Sequence, residues 1–204
     1  MPALTDQLRP FLAKPLSTEQ TKQVVTYLDL LLKWNAKISL TAVRAPEEIV
    51  QRHFGESFFA AERAGVGEAS SLIDIGSGAG FPGLPMAILA PNTQVMLIES
   101  QQKKVAFLRE VVRALDLKNV SVYGGRAEDS KLKSQIVTMR AVEKFDTVLP
   151  IAASLVQSNG TLALLIGASQ AESARNAAPV FQWLDPIAVP KSRERVLIVG
   201  ARQR

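Results

Sequence analysis

An acid, Asp74, precedes the glycine-rich run Gly76-Ser-Gly-Ala-Gly80-Phe-Pro-Gly83. Two further acids, Glu99 and Glu128, and a cation, Arg140, follow it along the chain. Glycines at 76, 78 and 80 can adopt positive φ and let a ligand approach the main chain. In the frame Gly78-x-Gly80-x-x-Gly83 the run matches a dinucleotide-binding fingerprint, which is weak evidence unless a strand precedes it and a helix follows. Glu99 stands about 20 residues further on, where a carboxylate accepts ribose hydroxyls and repels a 2′-phosphate. There is one histidine and no cysteine. That excludes disulfides, thiolate metal sites and cysteine nucleophiles, and no metal is expected.

The surrounding sequence supplies elements that can position these groups. Ser17-Thr-Glu-Gln20 reads as a capping box, and Val24, Leu28, Leu31 and Leu32 then recur at helical spacing. A second helix opens at Pro46 and runs through His53 and Phe54 towards Ala64, with Gly65-Val-Gly67 as its stop. Beyond it the pattern changes. Short apolar strands are expected at Leu72–Ile75, Val95–Ile98, Val120–Val122, Ile136–Met139 and Thr161–Ile166. A helix to about Ala90 follows the first strand, and one carrying Val105, Leu108, Val111, Val112 and Leu115 on one face follows the second. The tail, from Phe181 to Val199, reads as two strands around Pro186 and Pro190. Alternating strands and helices imply a largely parallel, doubly wound α/β sheet that binds ligands beyond its strands' carboxyl ends. Asp74, Glu99, Glu128 and Arg140 fall at or just after strand ends, so one rim can collect them. The expected division is a helical extension, 1–67, packed on a Rossmann-like domain, 68–204.

Asp74 separates the ligand candidates. Negative charge beside the turn opposes a pyrophosphate seated on a helix N-terminus. It attracts S-adenosylmethionine, which has no phosphate and carries an ammonium and a sulfonium. An NAD-dependent oxidoreductase therefore ranks last, and Pro82 and Pro85 would be unusual in a dinucleotide helix. Ala127-Glu128, after the third strand, can meet the adenine. The plainer alternatives are a turn-stabilising Asx contact at Asp74, a solvated loop acid at Glu128 and a surface ion pair at Arg140.

The 204-residue chain is 47% hydrophobic, enough for a core, and its net charge of +5 favours polyanionic partners. No apolar run approaches the about 20 residues of a membrane span. The first residues lack the charged start and apolar core of a signal peptide. A cytoplasmic protein that does not engage membranes is expected. Lys33, Lys37, Arg44, Arg52, Lys103, Lys104 and Arg109 can form a basic face or be ordinary solvated side chains.

Lys33-Trp-Asn35, Leu40-Thr41, Arg52-His53, the glycine run with its Phe-Pro continuation, Lys104-x-x-Phe-Leu108, Arg126-Ala-Glu128 and Arg140-Ala141 occur in order and at matching spacing. Over nearly the whole chain this resembles the bacterial 16S rRNA guanine-N7 methyltransferase G family, also called glucose-inhibited division protein B. The resemblance implies a class I methyltransferase fold with a mostly parallel seven-stranded sheet, helices on both faces and a helical N-terminal extension. It implies S-adenosylmethionine as donor and a guanine of 16S rRNA or the small ribosomal subunit as acceptor; a monomer is expected. Carried over by position, the cofactor contacts are Gly76, Phe81, Ala127, Glu128 and Arg140, joined by Asp74, Gly78, Gly80 and Glu99 from the turn and second strand. Arg52, His53, Lys103, Lys104 and Arg109 are candidate RNA contacts. The chain departs from the family pattern at Ser39, at Gly55-Glu56, at Glu99 (usually Asp) and at Ile166 (commonly Lys).

Guanine N7 holds an in-plane lone pair and can attack a sulfonium methyl without losing a proton. Positioning then supplies the acceleration, and no general base is required. The chain lacks the Asn-Pro-Pro-aromatic motif of amino-group methyltransferases. Arg140 is the candidate positioning residue, with a guanidinium suited to paired contacts with guanine O6 or a phosphate. His53 is equally readable as a packed neutral histidine, and Trp34 reads as a core anchor. Two other readings stay open: a non-catalytic rRNA-binding assembly protein, and a methyltransferase acting on a small molecule or protein.

Overall fold

The computed structural model describes residues 4–142 and 144–203. Residues 1–3, 143 and 204 of the two expected segments lie outside the described residues. The N-terminal part is helical: α1 (Leu4–Leu8), α2 (Thr18–Asn35), α3 (Pro46–Ile49), a π-helical stretch (Val50–Gly55) and α4 (Glu56–Arg63). Ser17 caps α2 as a complete capping box, and Val24 and Leu31 of its apolar stripe are fully buried. The helix expected from Pro46 runs through a wider π-helical turn before Gly65 stops it in the left-handed region, at φ 67°.

The remainder alternates as expected: β1 (Ser71–Ile75), α5 (Gly83–Leu89), β2 (Gln94–Ile98), α6 (Gln102–Ala114), β3 (Val120–Tyr123), β4 (Ser134–Arg140), α7 (Phe145–Leu155), β5 (Val156–Gly167) and α8 (Ala171–Ala177). Three more strands close the chain: β6 (Phe181–Trp183), β7 (Ile187–Ala188) and β8 (Arg195–Arg202). Seven strands form one row in the order β3-β2-β1-β4-β5-β8-β6, and β7 also pairs with β8. Strands β3 to β5 are mutually parallel, whereas β8 runs antiparallel to β5. β6 and β7 both lie against β8, so they are two pieces of one outer strand interrupted at Leu184-Asp-Pro186. Proline lacks the N–H a ladder needs, which accounts for the break.

Side chains alternate across the sheet. Leu72 and Leu97 enter a core shared with α2, α4, α5 and α6, while Ile73, Ile75 and Met139 enter a second core with α7 and α8. The N-terminal helices therefore cover the α5–α6 face and share its core.

Close approach fixes α5 against the sheet. A Cβ on Gly83 would lie 2.5 Å from Leu97 Cδ2 and 2.7 Å from Asp74 Oδ2. Gly83→Ala is expected to cost roughly 1–3 kcal/mol through overpacking, read as a lower midpoint in urea unfolding with unchanged slope.

Candidate cofactor and substrate site

The glycine run is a tightly tied loop at the carboxyl end of β1, at the crossover where the sheet order reverses between β1 and β4. Gly76, Gly78 and Gly80 all have positive φ, at 65°, 56° and 92°. Ser77 N–H donates to Ile98 O (3.1 Å), Gly80 N–H to Ser77 O (2.6 Å) and Gly78 N–H to Glu99 Oε2 (2.9 Å). Glu99 Oε1 accepts from Gln101 N–H at 2.8 Å. The acid that follows the second strand thus braces the loop with one oxygen and the next segment with the other, and Glu99 is among the residues that line the cleft.

Two clefts follow the strand ends. One, about 210 Å³, is lined by Gly76, Glu99, Ala127, Glu128 and Val142 among others. The other, about 170 Å³, lies over the ends of β4 and β5 and is lined by Arg140, Val142, Phe145, Gln170 and Arg195. Val142 borders both, so the two clefts are neighbours with this side chain between them. A Cβ on Gly76 would come within 3.2 Å of Val142 Cγ2, at the junction. Glu128 is half-exposed and faces Arg126 at 3.6 Å.

Asp74 departs from expectation. It is fully buried and lines neither cleft; its Oδ2 accepts from Gly83 N–H at 3.1 Å, and its backbone oxygen accepts the Ser77 hydroxyl at 3.0 Å. The turn-stabilising alternative is the one observed, because the short side chain folds under the loop onto the start of α5. The electrostatic contrast drawn between cofactors from Asp74 therefore loses its contact. Burial pushes the Asp74 carboxyl up to about 7 from 3.8, opposed by Ser77 and the Gly83 N–H.

Phe81 likewise turns inward. Its ring stacks on Tyr27 (centroids 5.2 Å, planes 9° apart) and meets Phe54 edge-on at 5.1 Å and His53 at 4.9 Å. The Tyr27 hydroxyl donates to Ala79 O. A Cβ at Gly80 would collide with that hydroxyl and with Leu84. Gly80 and Phe81 thus serve the docking of α2 on the loop.

Arg140 is not a surface ion pair. It is 8% exposed, and its Nη2 donates to Arg52 O (2.6 Å) and contacts His53 Nδ1 (3.1 Å), with Glu56 Oε2 3.1 Å away. Glu56 Oε1 faces Arg195 Nε at 3.0 Å. Arg140 Nη1 is buried and unpartnered. Desolvation lowers the Arg140 pKa to about 10, against the pull of Glu56, and leaves it charged at neutral pH. Burial and the Arg140 charge drive His53 down to about 3, so it is neutral. Its Nδ1 accepts from Arg140, which puts the proton on Nε2, 2.7 Å from Thr41 Oγ1. Asn35 in turn accepts Leu40 and Thr41 N–H (2.9 and 3.0 Å) through Oδ1 and donates to Thr41 O.

Of the expected RNA contacts, His53 has both ring nitrogens occupied by protein groups, Thr41 and Arg140. Arg52 pairs with Glu48 on the surface. Lys103 and Arg109 are exposed on α6, and Lys104 is half-buried there. Trp34 is a core anchor, packed on Phe107 at 5.6 Å with its indole N–H on Glu110 Oε2. Tyr27, Glu56 and Arg195 were missed as site residues. Glu56 sits on the motif-bearing segment beside His53 and was visible only as a departure from pattern, whereas Arg195 opens a strand after a proline loop with no motif around it.

Solved structures with this fold include a ribosomal protein L11 methylase from Lactobacillus delbrueckii subsp. bulgaricus, with a TM-score of 0.64 and 14% identity over 76% of this chain and 80% of that one. Another is TYW2 of M. jannaschii in complex with AdoMet, with a TM-score of 0.61 and 18% identity over 83% and 80%. These likenesses establish a shared Rossmann-like fold.

The match becomes specific at the level of sequence. Residues 20–195 fit the GidB family, rRNA small subunit methyltransferase G, and the chain belongs to that family. A protein named ribosomal RNA small subunit methyltransferase G from Xylella fastidiosa (strain 9a5c) is 40% identical over 89% of this chain and 86% of its own length. Its namesake from Roseiflexus sp. (strain RS-1) is 38% identical over 92% and 85%.

The raised Asp74 pKa makes its ionisation a cost to the fold. The contribution to stability is fully present below pH about 4 and is lost as pH rises through about 7. Asp74→Asn is expected to flatten this dependence and to gain up to roughly 4 kcal/mol on wild type at pH 8, checked by urea unfolding across pH 4–8.

Proposed function

We propose that this chain transfers the methyl group of S-adenosylmethionine to N7 of a guanine in small-subunit rRNA. The observation that carries the reading is the pair of neighbouring clefts at the strand ends, one with Glu99 and Glu128 and the other with Arg140, in a chain of the rRNA small subunit methyltransferase G family.

The residues suit that cofactor. Glu99 has oxygens with spare lone pairs on the cleft wall for a ribose diol. Ala127 and Glu128 border the adenine side, and Gly76 keeps the junction open beside Val142. The orphaned Nη1 of Arg140 offers a charged donor to the amino-acid end of the cofactor. When bound, S-adenosylmethionine supplies an electrophilic methyl group on a sulfonium. The chain's own residues have no proton to remove: His53 is neutral and committed to Thr41 and Arg140, and Asp74 is sealed under the loop. Catalysis then consists of holding the acceptor nitrogen in line and excluding water, which suits guanine N7. Lys103, Lys104 and Arg109 on α6, with Arg52, provide phosphate contacts that position RNA without reading sequence. The N-terminal helices, 1–67, and the sheet domain, 68–204, work as one monomeric unit in the cytoplasm, where rRNA is found.

The decisive experiment incubates the chain and the labelled donor with 16S rRNA and with small subunits lacking the modification, then cleaves the RNA chemically at N7-methylguanosine. One new cleavage site supports the reading; label on protein or small molecules, or no label at all, refutes it. Arg140→Lys is expected to lower methyl transfer at least about 10-fold, equivalent to about 1.4 kcal/mol of transition-state stabilisation. Replacing Lys103, Lys104 and Arg109 together by Ala is expected to weaken RNA binding and to reduce the slope of log affinity against log salt by roughly 2–3.

A further inference from the structure

Glu56 is 2% exposed and belongs to neither cleft wall, yet both of its carboxylate oxygens point at cations of the rim: Oε2 at Arg140 Nη2 (3.1 Å) and Oε1 at Arg195 Nε (3.0 Å). Arg140 leaves β4 and Arg195 opens β8, with β5 between them in the sheet. Two guanidinium groups gathered this closely repel each other unless an anion sits between them, and Glu56 at the start of α4 supplies it. The two protons of Arg140 Nη2 are spent on Arg52 O and His53 Nδ1. The guanidinium is planar, so fixing Nη2 and its counter-charge also fixes where Nη1 points. Nη1 is buried without a hydrogen-bond partner, as are Glu56 Oε2 and Arg195 Nε, which are held by charge alone; Nη1 belongs to a residue that lines the 170 Å³ cleft. Arg52, His53 and Glu56 all come from one helical run of the N-terminal part, so that part sets the geometry of a rim whose strands lie far along the chain.

We propose that Glu56 is a positioning residue that clamps Arg140 and Arg195 together, aiming the free end of Arg140 at the amino-acid portion of the cofactor. The assignment rests on the function proposed above and adds a residue that acts only through Arg140. It makes a selective prediction. A ligand with an amino-acid portion should sense the clamp, and a nucleoside without one should not.

The test is calorimetric titration of the full chain with S-adenosylmethionine and with 5′-methylthioadenosine, which keeps the adenosine and lacks the amino-acid end. Glu56→Gln removes the charge at nearly constant size; S-adenosylmethionine should bind at least about 10-fold more weakly, and 5′-methylthioadenosine within about 2-fold of wild type. Glu56→Asp keeps the charge on a shorter arm that cannot reach both guanidinium groups, and the loss should be about 3-fold, again for S-adenosylmethionine alone. If Glu56→Gln fails to fold, the selective loss in Glu56→Asp decides the matter. Equal weakening of both ligands would mean a merely structural role and overturns the assignment, as does unchanged binding in both variants. Wild-type chain that passes the titration and transfers no methyl group to rRNA overturns the function and leaves Glu56 standing. Wild-type chain that methylates rRNA while its Glu56 variants bind like wild type overturns Glu56 alone.

Discussion

A guanidinium taken out of water must find acceptors, and Arg140 finds them only because the N-terminal helices are present. Arg52 offers a carbonyl and His53 a ring nitrogen to the two protons of one nitrogen, and Glu56 sets its carboxylate 3.1 Å away as the counter-charge. Breaking one partner of such a buried pair costs about 3–5 kcal/mol, because the remaining charge is left uncompensated. The same helices press Tyr27 and Phe54 against Phe81 on the other side of the glycine loop. The N-terminal part thus braces the site from behind, through Arg140 and the glycine loop, and lines neither cleft itself. Loop, strand end and helical run have one mutually consistent arrangement.

That dependence explains why the motifs are scattered along the chain. Asn35 holds the turn that presents Thr41, Thr41 meets His53, His53 meets Arg140, and Glu56 joins Arg140 to Arg195. Polar groups linked this way in a low-dielectric interior are costly to leave half-satisfied. His53 illustrates the point. As the chain's one histidine it invites a catalytic role, but with Arg140 beside it a second positive charge would be strongly opposed, and it stays neutral as an acceptor.

The sheet was legible because its signals are local. Ser17 and Gln20 announce α2, Gly65 ends the run begun at Pro46, and the apolar strands β1 to β5 fall where periodicity puts them. Helix α7 carries an internal Pro150 and gives no such signal, and α8 has only Ala171 and Ala174 to bury. In the site, Glu99 and Glu128 reach one cleft and Arg140 its neighbour, all beyond the carboxyl ends of the strands as their positions imply. The side chains of Asp74 and Phe81 turn inward, which sequence spacing does not foretell, because it gives neighbourhood and not direction. Gly83 lets α5 come so close that Asp74 is enclosed, and Tyr27, some fifty residues earlier, draws Phe81 inward. Contacts between distant segments, including the one between Glu56 and Arg195, have no local signature at all.

The interrupted outer strand has a consequence of its own. A sheet margin is an unpaired row of donors and acceptors that can recruit another chain. Here one margin is divided into pieces of three and two residues by the segment that ends in Pro186, and the opposite margin, β3, is only four residues long. Neither offers enough consecutive backbone to template a foreign strand. The sheet is thereby guarded on both margins against pairing edge to edge with other copies of the chain.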